Sequence, residues 1–156
     1  FFNFNLPSTR QVALRMAIVL GDEGGVMHPL RNLVRFGLGG KQGNGNQRFS
    51  WIHIDDLKDI ILFIQQHQEM SGVYNCAAPG PVTNKEFMKL LRASMHVSFG
   101  LNTPKWMLKI GAIMIHTETE LILKSRWVLP ERLTNEGFVF KHPQLKQALE
   151  AIAENK

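Results

Sequence analysis

The segment Val12-Ala-Leu-Arg-Met-Ala-Ile-Val-Leu20, closed by Gly21, decides the fold class of this 156-residue chain. An almost unbroken apolar run of this length is typical of a strand buried on both faces, as in parallel sheets covered by helices. The shorter run Gly72 to Ala77 has the same character. Two such strands make a poor sheet alone, so they are predicted to belong to a wider sheet whose other strands lie outside this sequence.

Helices and glycine-rich turns are predicted between these two strands. A short helix is expected from His28 to Phe36, a turn or hairpin region follows it, and residues 49–54 have strand character. Asp55 or Asp56 is expected to cap a second helix, which presents its apolar residues on one face up to about residue 66.

The second half of the chain is predicted to be mainly helical. Thr83-Asn-Lys-Glu86 has the capping-box pattern, and Thr103-Pro104 combines a cap with proline at the first helical position. Helices are predicted at 84–94, 104–115, 118–128 and after Pro143, and a small strand is predicted at 137–140.

The net charge of +5 comes from 18 basic and 13 acidic residues that are interspersed. Because no Lys/Arg run occurs, no nucleic-acid partner is expected, whereas an anionic small ligand stays open.

The longest apolar stretch, 106–115, is interrupted by Lys109 and is too short to cross a bilayer, so no membrane association and a cytoplasmic location are expected. Cys76, the single cysteine, is predicted to be a buried apolar residue rather than a nucleophile.

No catalytic or metal-binding residue is predicted from the motifs. His53 and Asp55 fall on one side of a strand, but no third ligand is visible in the sequence, and acidic residues that open a helix normally serve as caps. Gly21-Asp-Glu-Gly-Gly25 follows a strand with the wrong spacing to hold a pyrophosphate. Tyr74 is the single tyrosine and has no lysine four residues later, so the chain has no Tyr-x-x-x-Lys dyad.

Several segments, taken in order, resemble the second half of the extended short-chain dehydrogenase/reductases, in the branch of NAD-dependent epimerase/dehydratase-like proteins. They are Leu14-Arg-Met-Ala-Ile-Val-Leu-Gly-Asp-Glu-Gly-Gly25, Phe36-Gly-Leu-Gly-Gly40, Ser50-Trp-Ile-His-Ile-Asp-Asp-Leu57, Tyr74-Asn-Cys-Ala-Ala-Pro79 and Pro81-Val-Thr-Asn-Lys-Glu-Phe87. Val128-Leu-Pro-Glu-Arg-Leu133 and Gly137-Phe-Val-Phe140 resemble the C-terminal domain of unknown function that this branch carries.

The resemblance implies an α/β fold, the C-terminal portion of a doubly wound Rossmann-like sheet with two parallel strands, plus a mainly helical substrate-binding cap. Residues 1–27 and 53–80 would be the remnant of the Rossmann-like domain, and residues 28–52 and 81–156 the substrate-binding domain. The cofactor would be NAD or NADP. In family members, the glycine fingerprint that binds the cofactor and the Tyr-x-x-x-Lys dyad lie upstream of the segments that match this chain. The chain alone is therefore expected to be inactive and to bind cofactor weakly.

The resemblance also implies which residues form the site. Arg15, Met16 and Ile18 would border the cofactor, although Ile18 could equally be a core strand residue. Some sugar-nucleotide epimerases place an arginine where this chain has Phe49, so a small polar or anionic substrate is expected rather than a nucleotide sugar in particular. The substrate-binding candidates are Arg35, Gln47, Arg48 and Trp51.

A non-enzymatic role is the alternative. An unpaired edge of the strand at 12–20 would be able to pair with another chain, because free backbone groups invite strand addition. A homodimer through this edge or through helical contacts is the corresponding assembly.

Overall fold

The computed structural model describes residues 8–22, 24–103, 125 and 127–154, and this part of the chain is a mixed α/β structure. The predicted helix at 104–115 and nearly all of the one at 118–128 lie outside the described residues. The elements in chain order are β1 (Val12–Met16), β2 (Ile18–Leu20), α1 (Met27–Arg35), β3 (Arg48–Phe49), β4 (Trp51–His53), α2 (Ile54–Gln66), β5 (Gly72–Cys76), β6 (Val82–Thr83), α3 (Asn84–Ser94), α4 (Glu131–Asn135) and α5 (Leu145–Glu154).

The apolar run at 12–20 forms two strands that pair with different neighbours. β1 lies parallel to β5, with Val12 beside Gly72 and Met16 beside Cys76. After Ala17 the chain continues as β2, which lies parallel to β4. The predicted parallel pairing is therefore confirmed, but the expected number of two parallel strands is wrong. β4 has only three residues, too few for its parallel partner to be recognised from the sequence.

The side chains of β2 and β4 alternate between two hydrophobic cores, as successive residues of a strand must. Trp51 faces one side and Ile52 the other. The helical core lies between α1, α3 and α5 and receives Trp51; the sheet core lies between α2, β5 and α4 and receives Ile52. Helices thus cover both faces of the strands, which is the layering of a doubly wound sheet.

β1 is more exposed than a fully buried strand. Arg15 and Met16 both lie open to solvent, and the Met16 side chain is 60% exposed. Among the described residues β5 is the single strand that pairs with β1, so the opposite edge of β1 has no described strand beside it. The expectation that both faces of this run are buried is not met within the described part of the chain.

The start of α2 differs from the prediction, whereas the start of α3 confirms it. His53, and neither Asp55 nor Asp56, caps α2: its Nδ1 accepts the N–H of Asp55 at 3.1 Å. In α3, the Thr83 hydroxyl accepts the N–H of Glu86 at 3.2 Å, and the helix spans the predicted residues 84–94.

None of the described helices combines the length and the apolar character needed to cross a membrane.

The predicted strand at 137–140 is wrong. Phe138 and Phe140 instead belong to a loop whose side chains pack into the sheet core and contact each other edge to face, with ring centroids 4.9 Å apart. The alternating pattern that suggested a strand is explained by this packing, because Val139 between them is 84% exposed.

Asp56 fastens this loop to the first turn of α2. The carboxylate is fully buried, and its two oxygens accept the N–H groups of Lys141 at 2.7 Å and His142 at 3.1 Å. A hydrogen bond to a charged acceptor contributes more than a neutral one, and a buried group left unsatisfied is expensive. The C-terminal segment is therefore held in place by one side chain 85 residues away from it in sequence.

We expect Asp56→Asn to lower the free energy of unfolding by about 2 kcal/mol, because the amide nitrogen cannot accept the second N–H. Urea denaturation followed by circular dichroism measures this. Asp59→Asn is the control: Asp59 forms a partly exposed ion pair with Lys141 at 2.7 Å, and its removal should lower stability far less than Asp56→Asn does. Equal losses in the two variants would contradict the assigned role of Asp56.

His53 makes the stability of the fold depend on pH. Burial, and secondarily the nearby His142, lower the pKa of His53 below its ordinary value of 6.5, although Asp55 and Asp56 oppose the shift. Near pH 6.5 the unfolded chain therefore binds a proton that the folded chain does not, so stability falls as the pH drops through this region.

We predict that the free energy of unfolding decreases between pH 7.5 and pH 5, and that the slope is shallower in His53→Asn. Asparagine can still cap α2 but does not titrate in this range. Urea titrations at a series of pH values give both slopes. Identical slopes would show that another group is responsible.

Candidate functional site

A cavity of about 920 Å³ opens at the point where β1 ends and β2 begins. It adjoins the carboxyl ends of the parallel strands β1 and β5, the edge at which ligands bind in open α/β sheets. Its volume lies within the range of small-molecule sites. The residues that line it are Arg15, Met16, Ala17, Ile18, Val19, Val26, Arg48, Ser50, Asn75, Trp127, Val128, Leu129 and Glu131.

One wall of the cavity is the segment 127–129, which is hydrogen-bonded to the strands. The buried Ser50 hydroxyl accepts the N–H of Val128 at 2.9 Å. The Asn75 amide, at the end of β5, donates to the carbonyl of Leu129 at 3.3 Å. These bonds hold a distant part of the chain against the strand ends, so the cavity has a defined boundary.

Arg48 and Trp127 form a cationic ledge at the cavity. The Arg48 guanidinium lies over the Trp127 ring, 4.3 Å from its centroid, and the backbone N–H of Arg48 donates to the Ser125 hydroxyl at 3.0 Å. A cation–π contact at an exposed site is worth about 0.5–1 kcal/mol, which restrains the guanidinium without neutralising it. Trp127 remains 51% exposed, so the ring also offers an apolar surface to a ligand.

The charge of the lining favours an anionic ligand. Arg15 and Arg48 contribute positive charge, and among the described lining residues Glu131 is the single carboxylate. The described ion pairs involve none of these three side chains, so they face the cavity without a fixed counter-charge from the described residues.

Four of the predicted site residues come together here. Arg15, Met16 and Ile18, expected to border a cofactor, line the cavity with Arg48, expected to bind substrate. Met16 ends β1, Ile18 begins β2 and Arg48 begins β3. These strand ends lie together at the cavity.

The other three predicted substrate residues lie elsewhere. Trp51 is fully buried and donates its indole N–H to the carbonyl of Gly80 at 2.9 Å. Gln47, 8% exposed, donates to the carbonyl of Gln42 at 2.8 Å. Arg35 borders a separate cavity between α1, α3 and α5. A contact between any of these side chains and a substrate therefore stays a prediction.

Sequence reasoning missed Trp127 and Glu131 as cavity residues. The chain returns to the cavity about 80 residues after Arg48, and no local pattern signals such a return. Ser50 offered a weak signal, since it sits inside one of the segments that carry the family resemblance.

A third potential metal donor, His142, lies near His53 and Asp55, with ligand atoms of the three residues within 4.8 Å of one another. The sequence could not reveal it, because 87 residues separate it from Asp55. His53 already uses Nδ1 to cap α2, however, and its ring packs against that of His142 with centroids 4.0 Å apart. Packed rings of this kind suit a structural contact, and the absence of a metal stays a prediction.

Cys76 is fully buried, as predicted. Burial raises the pKa of its thiol to about 11. Because the thiolate is the nucleophilic form, this cysteine is unreactive at neutral pH.

Comparison with known proteins places these features in a family. The profile of a domain of unknown function, DUF1731, matches residues 103–152. Over 149 residues the chain is 38% identical to an epimerase family protein of Staphylococcus epidermidis, covering 96% of this chain and 49% of that protein. It is 35% identical over 145 residues to the human epimerase family protein SDR39U1, covering 93% of this chain and 49% of that protein. The chain thus spans about half the length of the curated relatives it matches.

Solved structures agree with the sequence relatives. The crystal structure of human SDR39U1 with NADPH superimposes with a TM-score of 0.83 at 34% identity, covering 95% of this chain and 50% of that one. A nucleoside-diphosphate sugar epimerase from Corynebacterium glutamicum gives a TM-score of 0.71 at 29% identity, covering 94% and 27%. The predicted α/β fold of the Rossmann-like class is thereby confirmed. This chain belongs to the epimerase-like branch of the extended short-chain dehydrogenase/reductases and corresponds to the C-terminal half of such a protein.

Proposed function

We propose that this chain is the substrate-binding half of a nicotinamide-dependent epimerase or oxidoreductase that acts on a small polar or anionic substrate. The cavity at the carboxyl ends of β1 and β5, with Arg15 and Arg48 in its lining, is the observation that carries the proposal. In this proposal residues 1–27 and 53–80 complete a cofactor-binding sheet, and residues 28–52 and 81–156 form the substrate cap.

The open edge of β1 supports a larger sheet. Its backbone groups opposite β5 have no strand partner among the described residues, and natural proteins rarely leave such an edge uncovered. An adjoining N-terminal half would supply the next strand. A second copy of the chain could occupy the same edge, which is the alternative interaction role.

The cofactor would meet this chain at the end of β1. The exposed Arg15 and Met16, followed by Ile18, line the cavity on that side. The NADPH in the structure of the human relative supports a nicotinamide cofactor, which when bound supplies hydride exchange. No glycine-rich dinucleotide fingerprint occurs in the sequence. In this proposal the chain therefore lines one side of the cofactor and does not hold its pyrophosphate.

Arg48 would hold the substrate. Its guanidinium is oriented by Trp127 and offers several donors to a phosphate or carboxylate, while the exposed tryptophan ring can cover an apolar part of the ligand. The nucleoside-diphosphate sugar epimerase among the structural relatives supports an anionic substrate. Gln47 and Trp51 are close to Arg48 in sequence, and a direct contact of either side chain with the ligand stays a prediction.

We expect the 156-residue chain to bind NADPH and NADH with dissociation constants no tighter than about 1 mM, because a border without a pyrophosphate site retains little of the affinity. Isothermal titration calorimetry measures this. Micromolar binding of either cofactor to this chain would contradict the proposed division of labour.

We expect Arg48→Gln to weaken the binding of UDP, used as an anionic probe, by about tenfold, the equivalent of one charge-assisted hydrogen bond. Lys146→Gln is the control: it removes one positive charge from an exposed side chain outside the cavity and should leave the affinity unchanged. Quenching of tryptophan fluorescence during titration reports binding. If both variants bind UDP as the unmodified chain does, Arg48 has no substrate role.

A further inference from the structure

Another cavity, of about 330 Å³, lies beside α3 and has a strongly basic lining. It is distinct from the cavity that Arg35 borders. It shares no residue with the cavity described above. It is lined by Gly40, Lys41, Lys85, Lys89, Arg92, Gly100 and Asn102. No acidic residue occurs among them, although the sequence intersperses basic and acidic residues throughout.

Three of the cations stand on one face of α3. Lys85, Lys89 and Arg92 are separated by four and three residues, the spacing that brings helical side chains together, and they span about 10 Å along the axis. Like charges at this spacing repel one another and destabilise a helix. Lys41 adds a fourth cation from the glycine-rich loop.

The described carboxylates do not neutralise this group. None lies within ion-pair distance of the charged nitrogens of Lys41, Lys85, Lys89 or Arg92. Other lysines differ in this respect: Lys58 contacts Asp55 at 3.3 Å, and Lys146 contacts Glu150 at 3.8 Å.

Backbone contacts hold the wall of the cavity. Arg92 donates from Nη1 to the carbonyl of Gly39, and its buried Nε has no partner among the described residues. The N–H of Lys41 donates to the Asn102 side chain at 3.1 Å. A Cβ on Gly40 would lie 2.5 Å from the carbonyl oxygen of Leu101, so the two loops are pressed together and only glycine fits.

We infer that this cavity binds a small multivalent phosphate, a chain of two or three linked phosphates. A row of cations about 10 Å long exceeds the reach of one phosphate and suits a linear polyanion. The ligand would remove the repulsion between the α3 side chains, and the fixed Arg92 provides a preorganised contact for it. The inference is independent of the proposed function, because it concerns a different cavity.

Titration calorimetry with inorganic tripolyphosphate at low ionic strength tests the inference. We expect a dissociation constant below about 1 mM, at least tenfold weaker binding of orthophosphate, and loss of binding as added salt screens the charges. In Lys85→Gln/Lys89→Gln, both exposed positions, the affinity should fall by at least about tenfold. ATP carries the same phosphate chain: equal affinity supports a site for free polyphosphate, and tighter binding supports one for a nucleotide.

The matched control is Lys58→Gln/Lys146→Gln, which removes the same two charges outside the cavity and should leave the affinity unchanged. Equal weakening in both double variants would overturn the inference, since net charge alone would then explain the binding. So would an absence of tripolyphosphate binding, or binding lost in Arg15→Gln/Arg48→Gln and kept in Lys85→Gln/Lys89→Gln. That last outcome would assign the anion to the first cavity and leave the proposed function intact.

Discussion

Backbone pairing of residues 12–20 with two different partners is the constraint on which the structure depends. β1 bonds to β5, and after Ala17 the same chain bonds to β4 on its way into the interior. A segment that changes partners must leave a gap where the two pairings diverge. The first cavity lies at this gap, lined by Met16, Ala17 and Ile18, so the feature that builds the sheet also creates the site.

The two cores follow from the same pairing. Because Trp51 and Ile52 point to opposite faces of one short strand, packing on either face holds that strand, and with it Arg48, in position. Asp56 then ties the C-terminal loop to α2 through two backbone N–H groups. The cationic ledge of Arg48 and Trp127 likewise joins two parts of the described chain that lie far apart in sequence.

Patterns within a few residues of one another predicted the α/β class, the parallel pairing and the start of α3 at Thr83 correctly. They failed where a distant partner decides the outcome. His53 replaces the aspartates as the cap of α2 because its backbone is extended at the end of β4 and its ring is held in the interior. Trp127 reaches Arg48, and His142 reaches His53, only through the folded chain. In the basic cavity, Lys85, Lys89 and Arg92 already stand at helical spacing within α3, whereas Lys41 joins them through the folded chain.

The pairing of Val12 with Gly72 has a consequence for biosynthesis. On the ribosome the run 12–20 is complete 76 − 20 = 56 residues before the last residue of its partner β5. At ordinary translation speeds this interval lasts roughly 3–11 s. Throughout it β1 lacks its β5 partner, so one edge of this apolar segment has backbone groups that can pair with other chains.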